Sequence, residues 1–227
     1  MLYKVRCRPA FAALFVTLAP GESITVKTGA IISMDGNVTV KTLFCGFWLS
    51  AILRKCFGGQ DIFVDYLTND TADSLTVVLN QKTIGDIHRI DLSQGSIFLQ
   101  PGVYLAHTRG VSIENHWAGL GSWLAGEGLF KIKLKGRGRV FMAAYGGIIQ
   151  KTIYKDFVMA QGHLLAHSPK MRLKYRKEEE NVNIVITGAK KKNQRSQGNL
   201  IYYQSRTVSL SFIYTLRGLM DYLRSLV

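Results

Sequence analysis

The groups that could do chemistry in this chain are few, and two of them share a position. His107 stands five residues after Gly102 and His167 five after Gly162, while Met34 stands five after Gly29. Two imidazoles and a thioether brought together would suit a soft metal ion. His163, four residues before His167, would share its strand face. His107, His163 and His167 are therefore the candidate metal ligands. No carboxylate is placed to complete a cupin-like set and no H-x-H occurs. The simpler expectation is partly exposed strand histidines beside a turn.

Covalent and acid–base chemistry has less to work with. Asp86, Asp91, Glu114 and Glu127 form no recognisable acid/base pair, and Glu127, between two glycines, reads as part of a turn. There is no G-x-S-x-G, no H-E-x-x-H and no P-loop. Gly126-Glu127-Gly128 and Gly136-Arg137-Gly138 look like phosphate loops, but they lie between strands rather than ahead of a helix. Cys7, Cys45 and Cys56 are odd in number and form no C-x-x-C. A disulfide framework is not expected, and a reducing compartment is the natural setting. The sequence predicts no catalytic residue, no cofactor and no small-molecule substrate.

Binding chemistry is better represented. A net charge of +14 and a pI near 9.8 attract polyanions, whether nucleic acid, anionic lipid or an acidic partner. The charge concentrates in the last third. Lys170, Arg172, Lys174 and Arg176 alternate, so they would project from one face of a strand. Lys190, Lys191, Lys192 and Arg195 follow in a polar hairpin tip. Phosphates or anionic headgroups would fit such a track, and a charged face that keeps a sheet edge from pairing explains it equally well. The interleaved aromatics are sparse (Tyr175, Tyr202, Tyr203), which weakens the case for base stacking. Two apolar inserts stand apart. One carries Phe47, Trp48, Leu49 and Ile52, the other Trp117 and Trp123. Such residues serve a membrane or partner contact, or they cover the ends of a β core.

Whatever these residues do, repeated β units must place them. The segments G-A-I-I-S-M-D-G-N-V-T-V from Gly29, G-V-Y-L-A-H-T-R-G-V-S-I from Gly102 and G-H-L-L-A-H-S-P-K-M-R-L from Gly162 align without a gap. Each reads as strand, turn, strand, and self-similarity of this kind marks one supersecondary unit used repeatedly. Apolar residues alternate with Ser, Thr and Lys around all three, and turn residues separate the runs. The expected architecture is all-β, a repetitive sandwich or double-stranded β-helix-like core with a pseudo-threefold internal repeat. It forms a single domain over 1–207, with units of about 3–83, 84–150 and 151–207. Residues 208–227 change period: Leu210, Ile213, Leu216, Met220 and Leu223 recur at helical steps, predicting an amphipathic helix. Lys4, Arg6 and Arg8 ahead of Phe11–Leu18 imitate a signal peptide, but Pro20-Gly21 turns directly into the first repeat, so a core strand is expected there. No apolar run reaches the length of a spanning helix.

Several motifs in order carry a resemblance: L-A-P-G-E-S (18–23), the Gly29 segment, F-G-G-Q-D-I-F-V (57–64), I-G-D-I (84–87), G-E-G-L-F-K (126–131), G-R-G-R-V-F (136–141) and G-H-L-L-A (162–166). Over residues ~3 to ~167 the chain resembles the altered inheritance of mitochondria protein 24 family, whose fold is similar to that of tryptophan RNA-binding attenuation proteins. The resemblance implies a three-fold-repeated β core, often assembled as a trimer. In mitochondrial members it implies an inner-membrane-associated role in organising cristae and respiratory complexes. It brings no catalytic residues. The chain departs from the family at Ala160-Gln161, where an Asp is usual two residues before Gly-His, and in its third insert, where Lys177–Asn181 and the lysine run replace an apolar Gly-rich stretch.

The expectation is a non-enzymatic scaffold, homotrimeric and peripheral to a membrane or membrane complex, in a bacterial cytoplasm or an organelle interior. The alternatives are an RNA-binding protein acting through the basic last third and a metal-dependent cupin-like enzyme or sensor.

Overall fold

Several strands bury every second residue. In Ala13–Leu18 the residues Leu14, Val16 and Leu18 are buried between half-exposed neighbours, and Leu75–Leu79 buries Leu75, Val77 and Leu79 in the same way. Pleated backbone sends successive side chains to opposite faces, so such a run has one face for a core. The computed structural model describes residues 1–44, 63–81, 83–119, 130–178, 181–188 and 199–207. No α-helix lies among them. The helix expected over 208–227 falls outside the described residues.

The first third holds β1 (Leu2–Arg6), β2 (Ala13–Leu18), β3 (Ser23–Lys27), β4 (Ile31–Met34), β5 (Thr39–Phe44), β6 (Phe63–Thr68) and β7 (Leu75–Leu79). The middle is built on two long strands, β8 (Ile87–Leu99) and β11 (Phe130–Ala143). Between them come β9 (Tyr104–Thr108) and β10 (Val111–Trp117). The last third holds β12 (Ile148–Thr152), β13 (Phe157–Ala160), β14 (Leu164–His167), β15 (Arg172–Glu178), β16 (Asn181–Thr187) and β17 (Leu200–Gln204). The sheets are antiparallel, in the orders β1-β2-β7-β4, β12-β17-β14-β8-β11-β9-β3-β6-β5 with β10 on β11, and β13-β16-β15.

The same two pairing orders recur along the chain. In the first third β5 pairs β6 and β6 pairs β3, while β4 pairs β7 and β7 pairs β2. In the last third β15 pairs β16 and β16 pairs β13, while β14 pairs β17 and β17 pairs β12. The middle runs both orders on its long strands. Ile132–Gly136 of β11 lies between β10 and Gly95–Leu99 of β8, and Val140–Met142 lies between β9 and the start of β8. The glycines at 136–138 were expected to separate two strands. Instead β11 runs through them, with a register shift between Gly136 and Arg137. A bulge bends and twists a strand without ending it, so one strand carries both pairing orders.

Three buried clusters fill the spaces. Leu14, Val16 and Leu79 meet Ile24, Leu67 and Phe141 in the first; Ile97, Leu99, Ile132 and Leu134 form the second; Ile184 and Ile186 meet Leu164 and Ile201 in the third. Each fully buried Leu or Ile contributes about 1.5–3 kcal/mol.

Two seams join the thirds. β3 pairs β9, with Thr25 opposite His107 and Val26 opposite Ala106. β8 pairs β14, with Phe98 opposite His167 and Leu99 opposite Ala166. A second line of contact runs where the thirds begin: Phe11 bridges Gly85, and Gly85 bridges Gly146. There the Ala12 amide donates to the Gly85 carbonyl at 3.1 Å and the Asp86 amide to the Gly146 carbonyl at 3.0 Å. The Arg8 guanidinium closes over this junction, donating from Nε to Asp86 Oδ1 at 2.7 Å and from Nη2 to Oδ2 at 2.6 Å.

Candidate functional site

The seams decide what the histidines are. Gly29 and Gly162 adopt left-handed turns just ahead of β4 and β14, with φ of 79° and 81°. Gly102 reaches β9 through a 3-10 turn, Pro101–Val103, because Pro101 holds a helical φ. Five residues on, His107 and His167 are each 6% exposed, so the expectation of partly exposed histidines is corrected. The reason is non-local: each sits opposite a strand of the preceding third, Thr25 or Phe98, and the seam covers it. Their third counterpart, Met34, is 42% exposed.

The two imidazoles are satisfied differently. Nδ1 of His107 lies 2.7 Å from the Tyr104 hydroxyl. At the place of Tyr104 the last third has Leu164, which offers nothing polar. His167 instead turns Nδ1 to the Ser168 carbonyl at 3.0 Å. A carbonyl only accepts, so Nδ1 carries the proton and Nε2 is a bare acceptor. That Nε2 is buried without a partner. Phe98 stacks on the ring at 5.3 Å. Burial lowers the pKa of both histidines to about 4, and the Lys131 ammonium adds to the effect at His167. Both are neutral at physiological pH.

His163 lies just ahead of β14 rather than on it, and its Nδ1 donates to the Gln204 carbonyl at 2.7 Å. It does not share a strand face with His167, as the spacing had suggested. Among the described residues no three His, Cys, Asp or Glu side chains converge on a site that could hold a metal ion.

A cavity of about 200 Å³ opens beside His167 where the middle and last thirds meet, with Phe98, His116, Trp117, Lys131, Leu173 and Tyr175 on its walls. Trp117 is the last residue of β10 and is 52% exposed. On the strand that closes the cavity, Arg172, Lys174 and Arg176 are all exposed and alternate with Leu173 and Tyr175. The predicted one-sided basic track is therefore present on β15, with Lys170 in the turn before it. The other face of β15, Leu173 and Tyr175, shares the cavity with Trp117. Phe47, Trp48, Leu49, Ile52, Trp123, Lys190, Lys191, Lys192 and Arg195 lie outside the described residues. A second, larger cleft of about 490 Å³ lies at the other seam, between Glu22, Asp91, Arg109, Arg137 and Arg139.

Sequence reasoning missed the Arg8–Asp86 fork, because its partners are 78 residues apart and no local pattern marks them. It also missed two sheet edges that are bare among the described residues, β4 and β13, where Ile32, Met34 and Val158 are exposed. Their signal lay in the aligned segments, which place Met34 at a position buried in the other two thirds.

A family model described as mitochondrial biogenesis AIM24 matches residues 3–206. Among solved structures, the crystal structure of a Streptococcus pyogenes protein superposes with a TM-score of 0.69 at 21% identity. The match covers 95% of this chain and 98% of that one, and it supports the fold alone. No curated protein matches the chain. Among the described residues no helix is long and apolar enough to cross a membrane.

Proposed function

The chain belongs to the mitochondrial biogenesis AIM24 family, and from that premise we propose that it is a non-enzymatic scaffold that assembles with its own copies and lies peripherally at a membrane or membrane protein complex. The observation that carries the membrane part is the exposed basic face of Arg172, Lys174 and Arg176 on a strand whose other face, Leu173 and Tyr175, shares a cavity with the exposed Trp117. A tryptophan ring suits the headgroup region, apolar in body with a wet N–H. Cations on the exposed face of β15 hold anionic lipid at about 1 kcal/mol each. The family description fits a role inside an organelle, and the net charge of +14 favours an anionic surface.

The recurring pairing orders support a pseudo-threefold core similar to that of tryptophan RNA-binding attenuation proteins, each third contributing two small sheets. Such a core is a frame. Its buried histidines are neutral. The resemblance points to three copies as the assembled form.

Flotation with vesicles tests the membrane part. The chain is expected to float with phosphatidylserine vesicles at low salt and to stay in solution with neutral ones. Replacing Arg172, Lys174 and Arg176 by Gln weakens the affinity roughly a hundredfold, at about 1 kcal/mol for each lost charge. Equal binding to neutral vesicles, or none to anionic ones, contradicts the membrane reading. Salt-sensitive binding to single-stranded RNA without vesicle binding would turn the basic strand into a nucleic-acid track.

A further inference from the structure

The two seams inside the chain follow one rule, and among the described residues a third is left open. The strand that follows each aligned glycine is β4, β9 or β14, and the strand that precedes it is β3, the end of β8, or β13. β9 pairs β3 of the first third, and β14 pairs β8 of the middle third. The same rule would pair β4 with β13. Each instead ends its sheet, β4 beyond β7 and β13 beyond β16.

Both strands look like interfaces. An exposed strand edge invites pairing, and proteins blunt such edges with charge or proline. Every other edge among the described strands carries a charged residue: Lys4 and Arg6 on β1, Lys41 on β5, Glu114 on β10, Lys151 on β12 and Arg172 on β15. β4 reads Ile-Ile-Ser-Met and β13 reads Phe-Val-Met-Ala, with no charge and no proline. Ile32, Met34 and Val158 are 58%, 42% and 53% exposed.

The backbone link that accompanies each internal seam is also missing at the third among the described residues. At the starts of the first two thirds, the amides of Ala12 and Asp86 each reach the carbonyl of the next third. The equivalent amide, Gly147, is instead taken by the Ser205 hydroxyl at 2.9 Å, and the Ser205 amide returns to the Gly147 carbonyl at 3.0 Å. Among the described residues the start of the last third is capped by its own strand end and makes no such bond to the first.

We propose that β4 of one copy pairs antiparallel with β13 of a second copy of this chain, in the register of the internal seams, with Met34 opposite Val158 and Ser33 opposite Met159. The register follows from Thr25 opposite His107 and Phe98 opposite His167. The contact is head-to-tail, because each copy offers one edge of each kind, and such contacts close into rings when the rotation permits. This names the surface behind the self-assembly proposed above and rests on that reading.

Cysteine pairing tests it, in protein whose Cys7, Cys45 and Cys56 are Ser. Directly opposed antiparallel residues lie about 4.5–5.5 Å apart, within disulfide reach. Met34→Cys protein mixed with Val158→Cys protein is expected to give a covalent heterodimer on mild oxidation. Ile32→Cys mixed with Val158→Cys is two residues out of register and is expected to give about tenfold less, being beyond that reach. Unshifted melting of each variant shows that the fold is intact. A cross-link formed only within single molecules of a Met34→Cys/Val158→Cys chain overturns the proposal, since the seam then closes in the chain. An oligomer that gives no cross-link keeps the assembly reading and removes this surface. A protein that is monomeric at every concentration removes both.

Discussion

Gly85→Ala is expected to lower the melting temperature by roughly 6–12 °C. A Cβ on Gly85 would sit 1.8 Å from the Ala144 carbonyl oxygen and 2.7 Å from the Gly146 amide nitrogen. Both obstacles are backbone, so no side chain can turn away. Relief requires the strands at this junction to separate, which loosens the Ala144 amide to Asp86 carbonyl bond and the Gly146 amide to Ile84 carbonyl bond, each 3.0 Å. The Arg8–Asp86 fork is anchored one residue away. Overpacking of this kind costs about 3 kcal/mol, and each kcal/mol moves the midpoint of a chain this size by about 2–4 °C. Gly36→Ala is the control, since its Cβ meets nothing within 4 Å. Equal melting of the two variants would mean that the three thirds are not joined at Gly85.

Stability is expected to fall as the pH drops from 7 to 5. The direction follows from linkage. His107 and His167 have folded pKa values of about 4, against 6.5 in the open chain. Below pH 6.5 the unfolded chain takes up protons that the folded chain refuses, so acid favours unfolding. The stabilisation is complete above the unfolded value and is lost as the pH falls towards 4. At pH 5 the loss is about 2 kcal/mol for each histidine, of a total of about 5–15. His88, also lowered chiefly by burial, acts in the same sense. Glu114 is held below the usual carboxylate range by Lys135 and keeps its charge across this window. His167→Met borrows the residue of the first third and should remove about half of the pH 7-to-5 drop while also deleting the unpartnered Nε2. Urea midpoints of the single and double Met variants at both pH values provide the measurement. An unchanged drop in the His107→Met/His167→Met chain would place the titration elsewhere.

The strands were legible because their information is local. Ile24 and Val26 alternate with Ser23, Thr25 and Lys27, and each of the three aligned segments holds two strands with a turn between them. The basic face of β15 was legible for the same reason: Arg172, Lys174 and Arg176 are two apart, and a pleat puts them on one side. Burial at the seams was not legible. His107 and His167 look like edge residues until the strand opposite each is known, and that strand belongs to another third. The run of β11 through Gly136 was hidden too, because a glycine serves a bulge as readily as a turn.

Light scattering coupled to size exclusion most directly tests the scaffold built by edge pairing. For the unaltered chain edge pairing predicts a mass about three times the 25.4 kDa of one chain. It predicts a return to a single-chain mass for Val158→Lys, whose charge is of the kind that blunts the other edges. An unaltered chain that elutes at 25.4 kDa with and without detergent would contradict it.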